Sequence, residues 1–120
     1  MKDLKESFAE INQRWKDCYD DERIPDECRR IYMNFGVLLE DLQNMTEWSF
    51  YSIIKNIGLD GNVVLLTKDL RVFESECLSI CDLIETHEPT MPFWKTFPDR
   101  LMAMTDRLFT RAKFYNVNYN

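Results

Sequence analysis

Residues 62–85 read NVVLLTKDLRVFESECLSICDLIE and carry the most regular apolar pattern in the chain. Apolar residues recur there at alternating spacings of three and four, at Val63, Leu66, Leu70, Phe73, Cys77, Ile80 and Ile84. This spacing places them on one face of an α-helix, and a helix of this length would span roughly 35 Å at 1.5 Å per residue. We therefore predict a central helix over residues 62–85; a short strand at Val63–Leu66 is the competing interpretation.

Similar apolar patterns elsewhere in the chain predict four further helices. These helices are expected at about residues 3–19, 25–42, 46–57 and 98–115. Gly36 lies in the middle of the second helix, where it costs about 1 kcal/mol relative to alanine, and close packing of helices is a reason to keep it. Thr46 can cap the third helix, and Gly58 can end it.

Few residues in this chain favour turns or strands, which supports an all-α fold. The 120 residues include only 3 glycines and 4 prolines, too few for a turn-rich β fold. Pro89 and Pro92 interrupt residues 86–97, which we expect to form a loop. The prediction is a single compact antiparallel bundle of about five helices, formed by residues 1–120, with a frayed tail at about 116–120.

The charge balance is acidic, with 15 Lys and Arg against 21 Asp and Glu and a net charge of −6. Because phosphate binding requires an excess of basic residues, the composition argues against nucleic acid as a partner. No apolar run approaches the roughly 18–20 residues that cross a bilayer, and the charged start MKDLKESFAE lacks the apolar core of a signal peptide. We expect no membrane association and a cytoplasmic or otherwise intracellular protein.

The four cysteines are Cys18, Cys28, Cys77 and Cys81, and they permit three interpretations. Three of them fall on predicted apolar stripes, which favours reduced thiols that pack as small hydrophobic side chains. Cys18 and Cys28 flank the first interhelical turn, so a disulfide there is an alternative. Cys77 and Cys81, with His87, are a weaker candidate zinc site, because zinc sites usually contain a Cys-x2-Cys turn.

The sequence offers no recognisable catalytic motif. His87 is the only histidine, and no Gly-x-Ser-x-Gly nucleophile motif accompanies it. The glycines, at positions 36, 58 and 61, do not form a phosphate-binding loop. The acidic residues fall mainly on predicted polar faces, where solvent keeps them ionised. We therefore expect a protein that is not an enzyme and that has no metal and no cofactor.

Five aromatic residues exceed what the predicted core needs: Trp48, Tyr51, Phe93, Trp94 and Phe97. Three of them lie in the proline-bounded segment 91–98, where a stiff loop would present them as binding anchors of low conformational entropy. The alternative is that they cover the end of the bundle. Trp48 and Tyr51 lie on a predicted helix that is apolar on most sides, so they too are buried or reserved for a partner.

Arg100, Arg107 and Arg111 share one stripe of the last predicted helix. Residues 93–120 hold five basic and two acidic residues, a net charge of +3, whereas the first 92 residues hold 10 and 19, a net charge of −9. The stripe is either a solvated face that pairs with the acidic helices or a surface for an acidic partner protein.

These observations predict a small protein-interaction module that binds a partner protein through an aromatic and arginine surface. Adaptors, inhibitors and assembly subunits, including those encoded by viruses and phages, act in this way. The partner is another protein or a second copy in a homodimer. The alternatives are a secreted four-helix, cytokine-like signalling protein with disulfides, and a small metal- or ligand-binding bundle.

Overall fold

The computed structural model describes residues 3–48, 62–86 and 90–115. In chain order its elements are α1 (Leu4–Asp17), α2 (Asp26–Trp48), β1 (Asn62–Val64), α3 (Thr67–Glu85), α4 (Met91–Arg111) and β2 (Lys113–Tyr115). The predicted helical-bundle class is confirmed. The described residues form four helices, and a two-stranded ribbon is added to them.

Consecutive helices run antiparallel. Trp15, near the end of α1, donates its indole N–H to the carbonyl of Tyr32, early in α2, at 2.8 Å. At the other side of the bundle, Arg111 ends α4 and contacts Asp69 in the first turn of α3 at 2.7 Å. A late residue meets an early one in both pairs, so both pairs are antiparallel.

Helices two apart in the chain run parallel. Arg14, late in α1, contacts Glu85, the last residue of α3, at 2.8 Å. Cys28, early in α2, lies beside Trp94, early in α4. In the described part of the chain, the backbones of α1 and α4 each lie close to those of α2 and α3. α1 and α4 do not approach each other in this way and meet through the side chains of Trp15 and Phe97. The bundle is therefore a square with an up-down-up-down order, and α2 and α3 lie on a diagonal.

The predicted helix over 62–85 is wrong at its start. Residues 62–64 form β1, which pairs antiparallel with β2 so that Val63 lies opposite Phe114. α3 begins at Thr67, after Leu66 in extended conformation. The consecutive β-branched residues Val63 and Val64 favour a strand, and the pairing segment lies about 50 residues away, beyond the range of any local periodicity.

The predicted loop over residues 86–97 is also wrong, because α4 already begins at Met91. Pro92 occupies the first turn of α4. The N–H groups of a first turn have no acceptor within the helix, so a proline there costs no hydrogen bond. Pro98 lies inside the helix and cannot donate to the carbonyl of Trp94, four residues earlier. The thiol of Cys28 donates to this carbonyl instead, at 3.3 Å, so α2 supplies the donor that α4 lacks.

Two further boundaries differ from the prediction. α2 continues through Trp48, so Thr46 lies inside a helix and does not cap a new one. The rest of the predicted third helix lies outside the described residues, as does the predicted tail at 116–120. The last helix ends at Arg111 and not near Tyr115, because residues 113–115 belong to β2.

The centre of the core is aromatic. The Trp15 ring stacks on Tyr32 with centroids 4.1 Å apart and planes 11° apart. Phe35 and Phe97 complete this cluster, with ring centroids 5.1 Å and 6.2 Å from that of Trp15. The expected close packing at Gly36 is confirmed, since a Cβ there would lie 3.2 Å from Cδ1 of Trp15.

Candidate interaction surface

The predicted aromatic anchors of α4 belong to the core. Trp94 is 4% exposed and Phe97 is fully buried, whereas Phe93 is half-buried against the core. They were expected to be exposed because a loop was predicted; as part of α4, Trp94 and Phe97 face inward. Both rings belong to the hydrophobic core, and Phe97 lies beside Trp15 and Tyr32 at its centre. Trp48 is the last residue of α2, and Tyr51 lies outside the described residues.

Two of the three stripe arginines are engaged in ion pairs with α3. Arg107 donates two hydrogen bonds to the carboxylate of Glu76, both at 3.1 Å. Arg111 donates its Nε–H to Oδ1 of Asp69 at 2.7 Å. Arg100 is exposed, and no ion pair involves it within the described ranges. Arg107 and Arg111 therefore form a basic face that pairs with an acidic helix, which is the first of the two interpretations of this stripe.

These ion pairs border a cleft of about 310 Å³ between α3 and α4. Its floor is apolar and includes Phe73, Met104 and Leu108. Asp69 lies at its edge and is 8% exposed, and its Oδ2 is buried without a hydrogen-bond partner. Arg107 and Arg111 already have carboxylate partners at this cleft, so these two arginines offer little to a second protein.

The thiols lack the properties of catalytic nucleophiles. Burial raises the pKa of Cys77 well above its usual value and that of Cys81 to about 12. Burial also raises the pKa of Cys28 and of the half-buried Cys18. In the described residues all four are free thiols, and no group of three or more His, Cys, Asp or Glu side chains could hold a metal. His87 lies outside the described residues.

We expect the thiols to react with iodoacetamide at very different rates in the native protein at about pH 8, because only the thiolate reacts and burial keeps thiols neutral. Cys18 should react first, and the buried Cys28, Cys77 and Cys81 should react only after unfolding in urea. Mass spectrometry of the alkylated peptides measures this order. Rapid native modification of Cys77 or Cys81 would contradict their burial.

A second, apolar groove lies between α1 and α2. Its volume is about 300 Å³. The residues that line it are Trp15, Lys16, Tyr19, Tyr32, Met33, Gly36, Val37 and Glu40. Because Gly36 has no side chain, the groove reaches the edge of the buried Trp15 ring. Tyr19 borders the groove and donates its hydroxyl to the sulfur of Met33 at 3.0 Å.

The outward face of α2 beside this groove carries four residues, Arg30, Met33, Val37 and Glu40, which we call the α2 outer stripe. Met33 is 50% exposed and Val37 is 40% exposed. Arg30 and Glu40 are exposed too, and no ion pair engages either of them within the described segments. This stripe thus combines free apolar area with two unpaired charges of opposite sign.

Sequence reasoning missed this surface, although a signal for it exists. The inward positions of α2 account for Ile31, Phe35, Leu38 and Leu42. Met33 and Val37, four residues apart, remain on the opposite side of the helix, where apolar residues have no packing role. An apolar pair on the polar face of a helix is the pattern that marks such a surface.

None of the helices in the described ranges is both long and apolar enough to cross a membrane. Comparisons with protein-family models, with curated proteins and with solved structures find nothing that matches this chain.

Proposed function

We propose that this protein is a non-enzymatic interaction module that binds a polypeptide along the α2 outer stripe and the adjoining groove. The observation that supports the proposal most is the exposure of Met33 and Val37 beside a groove that Trp15 helps to line. Methionine, tyrosine and tryptophan are enriched in protein interfaces, and an apolar centre with charged ends is the usual arrangement. Acting as an adaptor, inhibitor or assembly subunit requires only such a surface.

This site replaces the predicted aromatic and arginine surface of α4. Trp94 and Phe97 are not accessible to a partner, and Arg107 and Arg111 already have carboxylate partners within the chain. A partner that bound these arginines would have to displace Glu76 and Asp69. Binding at the α2 outer stripe displaces no ion pair among the described residues.

The secreted cytokine-like alternative gains no support from the order of the helices. Growth-hormone-type cytokines have an up-up-down-down order with two long crossover connections. The present bundle has an up-down-up-down order, as the contacts from Arg14 to Glu85 and from Arg111 to Asp69 establish. The metal-binding alternative likewise finds no cluster of ligands among the described residues.

A photo-crosslinking amino acid at position 33 tests the proposal in the cells that naturally produce the protein. We expect irradiation to give a discrete adduct with a protein, because position 33 lies on the α2 outer stripe. The matched control is the same amino acid at position 102, since Met102 is a methionine of similar exposure, 53%, on α4. Adding Val37→Glu to the chain should remove the adduct at position 33.

Gel electrophoresis and mass spectrometry read out the adduct and identify the captured protein. Equal or absent labelling from positions 33 and 102 would contradict the proposal. An adduct at position 33 that persists with Val37→Glu would also contradict it, because binding would then not depend on the stripe.

A further inference from the structure

We propose that the polypeptide bound by the α2 outer stripe is a second copy of this chain, in a two-fold symmetric dimer with antiparallel α2 helices. This inference rests on the proposed function and names its partner. It follows from the order of residues along the stripe, from their charges and from the groove beside them.

The α2 outer stripe is arranged symmetrically about position 35. Met33 and Val37 each lie two residues from this position, and Arg30 and Glu40 each lie five residues from it. All four lie within an arc of about 80° of the helix surface, at about 100° per residue. One face of α2 therefore reads, from either end, as charge, apolar side chain, apolar side chain, charge.

A two-fold axis at the height of position 35 would bring complementary groups together. In an antiparallel pair, Met33 of one copy lies level with Val37 of the other, and Arg30 lies level with Glu40 of the other. An isologous interface requires such self-complementarity, since each contact occurs twice. If the two charges were of like sign, the same symmetry would place two repulsive pairs in the interface.

The groove between α1 and α2 provides room for the second copy. Helices pack when the ridge of one enters the groove of another, at interaxial distances of about 8–10 Å. Met33 and Val37 form the ridge, and the groove lies directly beside them. Gly36 lines the groove and has no side chain, so the groove stays open as far as the Trp15 ring.

The charge of the whole chain makes this pairing selective. Each copy carries a net charge of −6, so two copies repel each other in most orientations. The α2 outer stripe offers one orientation in which a free cation faces a free anion twice. Arg30 and Glu40 can form these pairs without breaking an intramolecular ion pair, because none engages them in the described part of the chain.

Sedimentation equilibrium of the purified protein over a range of concentrations tests the proposal. We expect the wild-type protein to form a dimer reversibly. Arg30→Glu and Glu40→Arg should each weaken dimerisation by about tenfold, because each turns two attractive pairs into repulsive ones. The double variant carries opposite charges again and should recover the wild-type dissociation constant to within about twofold.

Val37→Glu probes the apolar centre of the interface. We expect it to weaken dimerisation by at least about a hundredfold, because it places a carboxylate opposite Met33 of the second copy. Met102→Glu is the matched control, at an exposed apolar residue on α4, and should leave dimerisation unchanged. Circular dichroism and urea unfolding of each variant show whether the fold is retained, as expected for substitutions at exposed positions.

The outcomes separate the dimer from the proposed function. If the wild-type protein stays monomeric while position 33 crosslinks to a different protein in cells, the dimer is overturned and the interaction module stands. If the protein is monomeric and position 33 gives no specific adduct, both fail. A dimer that is insensitive to Val37→Glu, or a double charge reversal without recovery, would overturn the antiparallel pairing.

Discussion

Phe97→Ala is expected to lower the free energy of unfolding by about 3–5 kcal/mol, the usual cost of removing a buried aromatic ring. Phe97 is fully buried. Its ring centroid lies 5.1 Å from that of Trp94, 5.6 Å from that of Phe93 and 6.2 Å from those of Trp15 and Tyr32. No other ring can fill the space, since the neighbouring rings are held by contacts of their own. Urea unfolding followed by circular dichroism measures the loss.

The matched control for this prediction is Met91→Ala, at an exposed residue of the same helix. We expect a change within about 0.5 kcal/mol, as is usual for surface substitutions. A loss below about 1 kcal/mol for Phe97→Ala would mean that the ring is not packed in the core. It would return Phe97 to the role of exposed anchor that the sequence alone suggested.

Regular helical spacing predicts α1 and most of α2 because each stripe is a local property. Phe8, Ile11 and Trp15 are spaced by three and four residues, and all three are buried as that spacing implies. No residue distant in the chain is needed to place them on one face. Helix positions are therefore accessible to sequence reasoning wherever one face alone faces the core.

Interactions between distant residues account for the elements that sequence reasoning missed. The strand at Val63 exists because Phe114 lies opposite it, and the two are far apart in the sequence. A proline at position 98 ordinarily ends a helix. Here Cys28, on another helix, donates to the carbonyl of Trp94 that Pro98 leaves without a partner. The local pattern permits a strand at Val63 without deciding for it, and it gives no sign of the hydrogen bond from Cys28.

The aromatic and arginine surface predicted on α4 also depends on interactions between distant residues. Aromatic residues such as Trp94 exceed the needs of the core only if their segment is a loop, and as part of α4 Trp94 is buried in the core. The ion pair of Arg107 with Glu76 likewise depends on how α3 and α4 pack. Met33 and Val37, by contrast, can be recognised from α2 alone once its inward face has been assigned.

Trp15→Ala is expected to lower the free energy of unfolding by about 3–5 kcal/mol and to affect three helices at once. The indole is buried and stacks on Tyr32 of α2 at 4.1 Å, and it faces Phe97 of α4 at 6.2 Å. Two reciprocal hydrogen bonds join the same pair: the indole N–H donates to the Tyr32 carbonyl at 2.8 Å, and the Tyr32 hydroxyl donates to the Trp15 carbonyl at 2.6 Å. Urea unfolding again provides the measurement.

Trp15→Phe distinguishes the contribution of ring packing from that of the hydrogen bond. Phenylalanine keeps an aromatic ring against Tyr32 but removes the indole N–H, so we expect a smaller loss of about 1–3 kcal/mol. A loss as large as that of Trp15→Ala would mean that the polar contact, and not the buried ring, joins α1 to α2. The hydroxyl bond from Tyr32 to the Trp15 carbonyl is retained in both variants, because it uses the backbone of residue 15. The difference in the free energy of unfolding between the two variants therefore reports the aromatic ring at position 15 and not the hydrogen bond from Tyr32.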